Sequence, residues 1–271
     1  MKLRRLGRAQ GDVALLTGGS GGIGAALAGE LAARGFALAL LARGAAALDR
    51  EAEKLRARGA RVTTHVCDVR DPASIAAAFS AARAAHGRID LVAVCAGIGR
   101  HVLFEDHDAE NIRSILETNV AGHLHTIRAA LEPLCERGGW IVSVSSVAGR
   151  LGQPDEAVYS ASKFAVTGLS EALTIELAPR GIHVLTVYPG LVRTGFVPED
   201  ERSRLPESAL RTAIEPEAVA RAIVRALALG RHEVTVPRIA AGGYVVRAIA
   251  PALFRRILAR LRGNVLPKPG R

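Results

Sequence analysis

The chain has 271 residues, 49% of them hydrophobic and 4% aromatic, and a formal net charge of +10. That length buries a large core without making two domains the default, and the scarcity of aromatic side chains leaves little for nucleic-acid bases to stack on. Arginine is spread over the whole sequence, with local excesses at Lys2 to Arg8 and Arg247 to Arg262, so the charge suits a solvated surface or a polyanionic small molecule better than a nucleic acid.

In chain order, the run from Asp12 to Thr17 reads as a buried strand, and the GGSGGIG loop after it opens a helix through Ala25 to Arg34, which Gly35 ends. The alternation continues with a strand from Phe36 to Leu41, a helix from Ala45 to Arg58, a strand from Arg61 to Val66, a helix from Pro72 to Ala85 and a strand from Ile89 to Val94. A helix within Asp108 to Arg137, strand Trp140 to Val144, helix Ala157 to Leu177 and strand His183 to Val187 repeat the rhythm. Residues Thr194 to Ile214, rich in Pro, Glu, Asp and Arg, read as a mobile substrate lid; a helix from Pro216 to Leu229 and a short strand from Glu233 to Val236 follow. Right-handed crossovers then predict an α/β fold, a doubly wound parallel sheet of Rossmann type in one domain spanning 1–271, with a core over about 12–236 and a basic amphipathic extension over 237–271.

The loop between the first strand and helix carries Gly18, Ser20, Gly22, Ile23 and Gly24, where backbone N–H groups and the helix dipole receive a pyrophosphate. An acidic residue at the end of the second strand holds the ribose 2′-hydroxyl of NAD in such folds, yet no Asp or Glu occurs from Leu31 to Leu48. Arg43 stands there instead, suited to a 2′-phosphate, so NADP(H) is expected ahead of NAD(H), which stays open; the rival reading of Arg43 is a solvated charge. Asp68, followed by Val69, stands where a carboxylate meets an adenine amino group, or where it serves a turn or cap.

Tyr159 and Lys163, four residues apart on a helix, project from one face about 6 Å apart along the axis. Lowering a phenol from about 10 toward neutrality takes roughly 4 kcal/mol of preferential stabilisation of the phenolate, which a neighbouring ammonium and an oxidised nicotinamide would supply. Ser145 and Ser146 end the preceding strand at the carboxyl edge, with Ser146 placed to donate to a carbonyl oxygen and Ser145 suited to capping or a turn.

Together, Thr17 to Gly24, Ser145-Ser146 and Tyr159-Ser-Ala-Ser-Lys163 resemble the short-chain dehydrogenases/reductases, and the resemblance runs in order from about Asp12 to Val236. Thr118-Asn119-Val120-Ala121-Gly122 is similar to the family's catalytic-asparagine segment, and Tyr188 to Thr194 to its nicotinamide-side loop. The resemblance implies that Tyr159 passes the proton in carbonyl–alcohol interconversion and Ser146 orients the substrate oxygen. It implies further that Lys163 lowers the Tyr159 pKa and holds the ribose, and that Asn119 holds a water linking Lys163 to solvent. Pro189, Gly190, Val192 and Thr194 would bind the nicotinamide side, and the small Ala96 and Gly97 would let the cofactor pass. The chain departs from the family at Val94-Cys95-Ala96-Gly97, where an Asn-Asn-Ala-Gly type sequence is usual, removing an asparagine from the sheet edge.

A small alcohol or carbonyl compound is the expected substrate, a homodimer or homotetramer the assembly the resemblance implies, and no metal is expected: His123 and His125 face different ways and no Cys or His pair has zinc spacing. Cys67, Cys95 and Cys135 read as buried, reduced thiols, two of them in apolar strand-like runs, and the basic N-terminus lacks a signal-length apolar segment, so a cytoplasmic location is expected. Over Pro251 to Arg262, Leu253, Phe254, Ile257, Leu258 and Leu261 share one arc, opposite Arg255, Arg256, Arg260 and Arg262. That helix packs on a neighbouring subunit or on the lid, or it attaches to anionic lipid and favours a lipophilic substrate. The competing functions are an NADP(H) sensor without turnover and a membrane-surface scaffold.

Overall fold

The computed structural model describes residues 11–197, 201, 205 and 210–261. Its centre is a seven-stranded sheet of β1 (Val13–Thr17), β2 (Ala37–Ala42), β3 (Val62–Val66), β4 (Leu91–Val94), β5 (Gly139–Val144), β6 (Ile182–Pro189) and β7 (Glu233–Val236), in the order β3-β2-β1-β4-β5-β6-β7. Every pairing is parallel. Parallel strands need crossovers, and these are supplied by α1 (Gly22–Ala32), α2 (Ala45–Arg56), α3 (Pro72–His86), α4 (Ala109–Leu116) with α5 (Gly122–Cys135), α6 (Ala157–Glu176) and α7 (Pro216–Ala228).

Successive residues of each strand point to opposite faces, and both faces are covered, which is why the strands read as unbroken apolar runs. Leu16, Leu38 and Leu40 pack with Leu27 and Leu31 of α1, Leu48 of α2 and Ile223 of α7. Leu15, Ala39 and Leu41 pack the other way, against Ile75 and Phe79 of α3 and Ile127 of α5. The chain runs outward from β1 in both directions, so the crevice where its order reverses lies over the carboxyl ends of β1 and β4.

Three features differ from expectation. The single helix predicted within 108–137 is broken by a π-helical turn, Glu117–Ala121, and Gly122 fits because a Cβ there would lie 2.7 Å from Val69 Cγ2. β6 runs two residues beyond Val187, and Gly190 N–H donates to Val236 O at 2.7 Å, extending the edge contact with β7. A helix absent from the sequence reading, α8 (Ala241–Ile249), precedes α9 (Pro251–Leu261). Its two glycines argue against a helix, but tertiary contact overrides propensity: Gly243 approaches Leu151 so closely that a Cβ would sit 2.9 Å from Leu151 Cδ1, and Tyr244 meets Tyr188 edge-on.

The three cysteines are unpaired thiols: Cys67 is buried, Cys95 half-buried and Cys135, at the end of α5, exposed, so the expectation of three buried thiols fails at Cys135. Only part of the segment expected as a lid is described, and the remainder of 194–214 lies outside the described residues. Its ends are drawn together by Ile214 N–H donating to Leu191 O at 2.9 Å and Arg193 N–H to Ile214 O at 2.8 Å.

Candidate active site

A cavity of about 620 Å³ opens over the carboxyl ends of β1, β4, β5 and β6. Gly18, Ser20, Gly22, Ile23 and Gly24 line it at one end, with Ala96, Gly97, Ser146, Tyr159, Lys163, Pro189, Gly190, Val192 and Thr194 along the rest, so most of the expected cofactor and catalytic residues share one wall. Arg43, Asp68, Val69 and Asn119 do not face it.

The loop is shaped by close backbone contacts that only glycine permits. Gly18 has φ +67° and stands so near the β4 loop that a Cβ would lie 3.0 Å from Ala96 N, while a Cβ on Gly24 would lie 2.2 Å from Gly18 O. Gly19 N–H donates to Leu41 O at 3.1 Å, fixing the loop to the end of β2. Arg43 follows that end, exposed, and its charge acts on Asp68. The Asp68 carboxylate is engaged by the Arg70 guanidinium at 2.6 Å and by Arg70 N–H at 3.0 Å, which holds it well below the usual carboxylate range. The turn alternative for Asp68 is therefore the one with observed partners. Asp71, three residues on, caps α3 through Ala73 N–H at 2.9 Å.

At the sheet edge where the asparagine is missing, Thr17 Oγ1 accepts from Cys95 N–H at 3.2 Å and Ala96 N–H at 3.4 Å. Burial pushes the Cys95 thiol up to about 12, against the nearby Lys163 charge. Asn119, carried inward by the π turn, accepts from Ile98 N–H at 2.8 Å and donates to Ile98 O at 2.8 Å and to Ser162 Oγ at 3.0 Å. Its side-chain amide thus pins the loop after β4.

Lys163 stands one turn along α6 from Tyr159. Its Nζ donates to Val144 O at 2.9 Å, which ties it to β5, and lies 5.7 Å from the Tyr159 ring centroid. Burial lowers the ammonium to about 8. The Tyr159 phenol stands above its ordinary value, raised by burial and then by the Glu156 charge, with a hydrogen bond to Ser146 acting the other way. Desolvation is the largest influence on the phenol in this structure. Ser146 Oγ accepts from Ala148 N–H at 3.1 Å and reaches Pro189 O at 3.4 Å, while Ser145 is buried, donating to Lys163 O at 3.0 Å.

Several cavity residues carried no motif. Phe196, Val197 and Leu205 of the 194–214 segment line it with Leu191, and Phe196 packs edge-on against Tyr159 at 5.6 Å between ring centres. Gln153, Glu156 and His101 line it as well. His101 Nδ1 pairs with Glu156 at 3.0 Å and Asp155 at 3.6 Å, and its N–H donates to Glu201 at 2.7 Å. Burial alone would lower this imidazole, but the two carboxylates outweigh it and hold it at about 9.

With this geometry in hand, the comparisons with known proteins agree on the class. Residues 12–204 match the short chain dehydrogenase family. The chain is 36% identical over 228 residues to oxidoreductase UcpA of Escherichia coli O157:H7, covering 83% of this chain and 84% of that protein. It superposes with TM-score 0.82 on a short chain dehydrogenase/reductase from Burkholderia phymatum in complex with NAD, at 28% identity over 90% of this chain and 95% of the other. A variant actinorhodin polyketide ketoreductase with NADPH gives TM-score 0.76, 30% identity, and coverage of 83% and 95%. The chain belongs to the short-chain dehydrogenase family, whose members are oxidoreductases of the Rossmann type.

Proposed function

We propose that this protein is an NADP(H)-dependent reductase or dehydrogenase of the short-chain family, interconverting a carbonyl compound and its alcohol with Tyr159 as the acid/base. The observation that carries this reading is one continuous cavity joining the glycine loop at the start of α1 to Ser146, Tyr159 and Lys163. The residues fit a dinucleotide: a cradle too tight for side chains at Gly18 and Gly24, exposed helix-start amides, and a passage past Ala96 and Gly97. When bound, the nicotinamide supplies or accepts the hydride.

The protein's own groups do the rest. A phenol raised above its ordinary value is fully protonated at neutral pH and serves as the acid toward a developing alkoxide. Ser146, hydrogen-bonded to that phenol, would donate its hydroxyl to the same oxygen once a substrate is bound. Lys163, held by Val144, lies beside Gly97, where a Cβ would sit 3.5 Å from Nζ, and would hold a ribose hydroxyl. Asn119 keeps that passage open by pinning Ile98. Pro189, Gly190, Val192 and Thr194 orient the ring end, and Phe196, Val197 and Leu205 suit an apolar substrate body.

Arg43 supports preference for the 2′-phosphate, because no carboxylate stands at the end of β2 to select a free 2′-hydroxyl. Assembly as a homodimer or homotetramer is supported by Leu116 of α4, Leu124 of α5 and Ile175 of α6, large apolar side chains left in solvent. Oxidation of NADPH and NADH over a panel of ketones and aldehydes tests the function. NADPH is expected to be the faster reductant; equal or faster use of NADH would end the preference for NADP(H), and no turnover with any carbonyl would favour a sensor.

A further inference from the structure

The C-terminal pair of helices has one docked side and one bare side. On α8, Tyr244 meets Tyr188, and Arg247 donates to Arg150 O at 2.7 Å while its guanidinium lies 5.2 Å over the Phe164 ring. Val245 and Ile249, one turn apart on the opposite side, stand in solvent, as does Ile239 just before the helix. On α9, Phe254 and Leu258 are half-buried, and Leu258 with Arg255 and Ala259 borders a groove shared with Gln153, Pro154 and Ala157. Leu253, Arg256, Ile257 and Arg260 follow i, i+3, i+4, i+7 spacing, so aliphatic and cationic groups expected on opposite arcs share one solvent-facing stripe. Ile239, Val245, Ile249, Leu253 and Ile257 keep between 42% and 86% of their surface exposed.

We propose that the bare side of α8 and α9 docks on the surface of an anionic lipid bilayer. Charge selects this occupant. No Asp or Glu follows Glu233 in the sequence, whereas Arg238, Arg255, Arg256 and Arg260 stand exposed around the aliphatic residues. An isologous contact with a second copy would set arginine against arginine with no acid from these helices between them. Residues 262–271 add Arg262, Lys268 and Arg271 and no acid, so that segment supplies no neutralising charge either. Aliphatic side chains give nucleic-acid bases nothing to stack on. A bilayer surface satisfies both demands at once, since acyl chains take the aliphatic residues while arginine stems lie flat and their heads meet lipid phosphates.

The contact is superficial, because among the described residues no helix is long and apolar enough to cross a membrane. Docking itself needs no turnover.

Sedimentation of the full chain with vesicles tests this, using phosphatidylcholine alone against equimolar phosphatidylcholine and phosphatidylglycerol. Binding is expected only to the anionic vesicles. Val245→Ser combined with Ile249→Ser, and separately Arg256→Glu combined with Arg260→Glu, should each weaken it about tenfold or more, with melting temperature held within about 2 °C because all four positions are exposed. Failure to sediment with anionic vesicles, binding that neither double variant weakens, or binding to duplex DNA in place of vesicles would each overturn the proposal. So would a dimer in light scattering that Val245→Ser with Ile249→Ser converts to monomer.

Discussion

Gly24 shows how little room the glycine loop before α1 leaves. A methyl group there would sit 2.2 Å from Gly18 O, so Gly24→Ala must displace the first turn of α1 from the loop. The expected outcome is a loss of NADPH affinity of about a hundredfold, with a melting temperature lowered by several degrees, read by fluorescence titration and calorimetry. Arg43 is a test of a different kind because it is exposed and its removal disturbs no packing. A charge-assisted hydrogen bond to a 2′-phosphate contributes roughly 1.5–3 kcal/mol, so Arg43→Ala should raise the KM for NADPH about tenfold to a hundredfold and leave that for NADH unchanged. An equal rise for both cofactors would make Arg43 a general contributor to the field.

At the scale of elements, the loop after β4 and the 194–214 segment meet across a buried ionic cluster. Glu201 receives His101 N–H, Arg100 approaches Glu201 at 2.5 Å, and the His101 ring pairs with Glu156 at the start of α6. A histidine raised to about 9 gives stabilisation that is full below its ordinary value of about 6.5 and is lost as pH rises through 9. The wild type should therefore lose thermal stability relative to His101→Gln between those two pH values; a difference independent of pH would show that the imidazole is not held charged. This cluster was not legible in the sequence, because Arg100, His101, Asp155, Glu156 and Glu201 come from three separate segments and carry no shared spacing. The glycine loop and the Tyr159–Lys163 pair were legible because each lies within one local element, whose geometry follows from the chain itself. The π turn at Asn119 had no local signal, no Gly or Pro marking the break before Gly122, and α8 forms against its own glycines through contacts with Leu151 and Tyr188.

Over the whole molecule, the order of the strands explains why distant sequence motifs meet. Thr17 pairs with Val94, Val94 with Ser143 and Val144 with Val187, so the segments leaving β1, β4, β5 and β6 emerge side by side on one edge. Alternation of apolar strands and amphipathic helices was enough to anticipate this sheet. The side-chain details that set the electrostatics over it, such as Lys163 bonded to Val144 and the phenol raised by burial, depend on three-dimensional packing and were not. An enzyme working through this arrangement should lose the chemical step and keep cofactor binding when only the phenolic hydroxyl is removed. Stopped-flow measurement of NADPH oxidation by Tyr159→Phe, with cofactor affinity measured on the same variant, tests that directly. The hydride-transfer rate is expected to fall by at least about a hundredfold at nearly unchanged NADPH affinity; a rate equal to wild type would rule out Tyr159 as the acid/base.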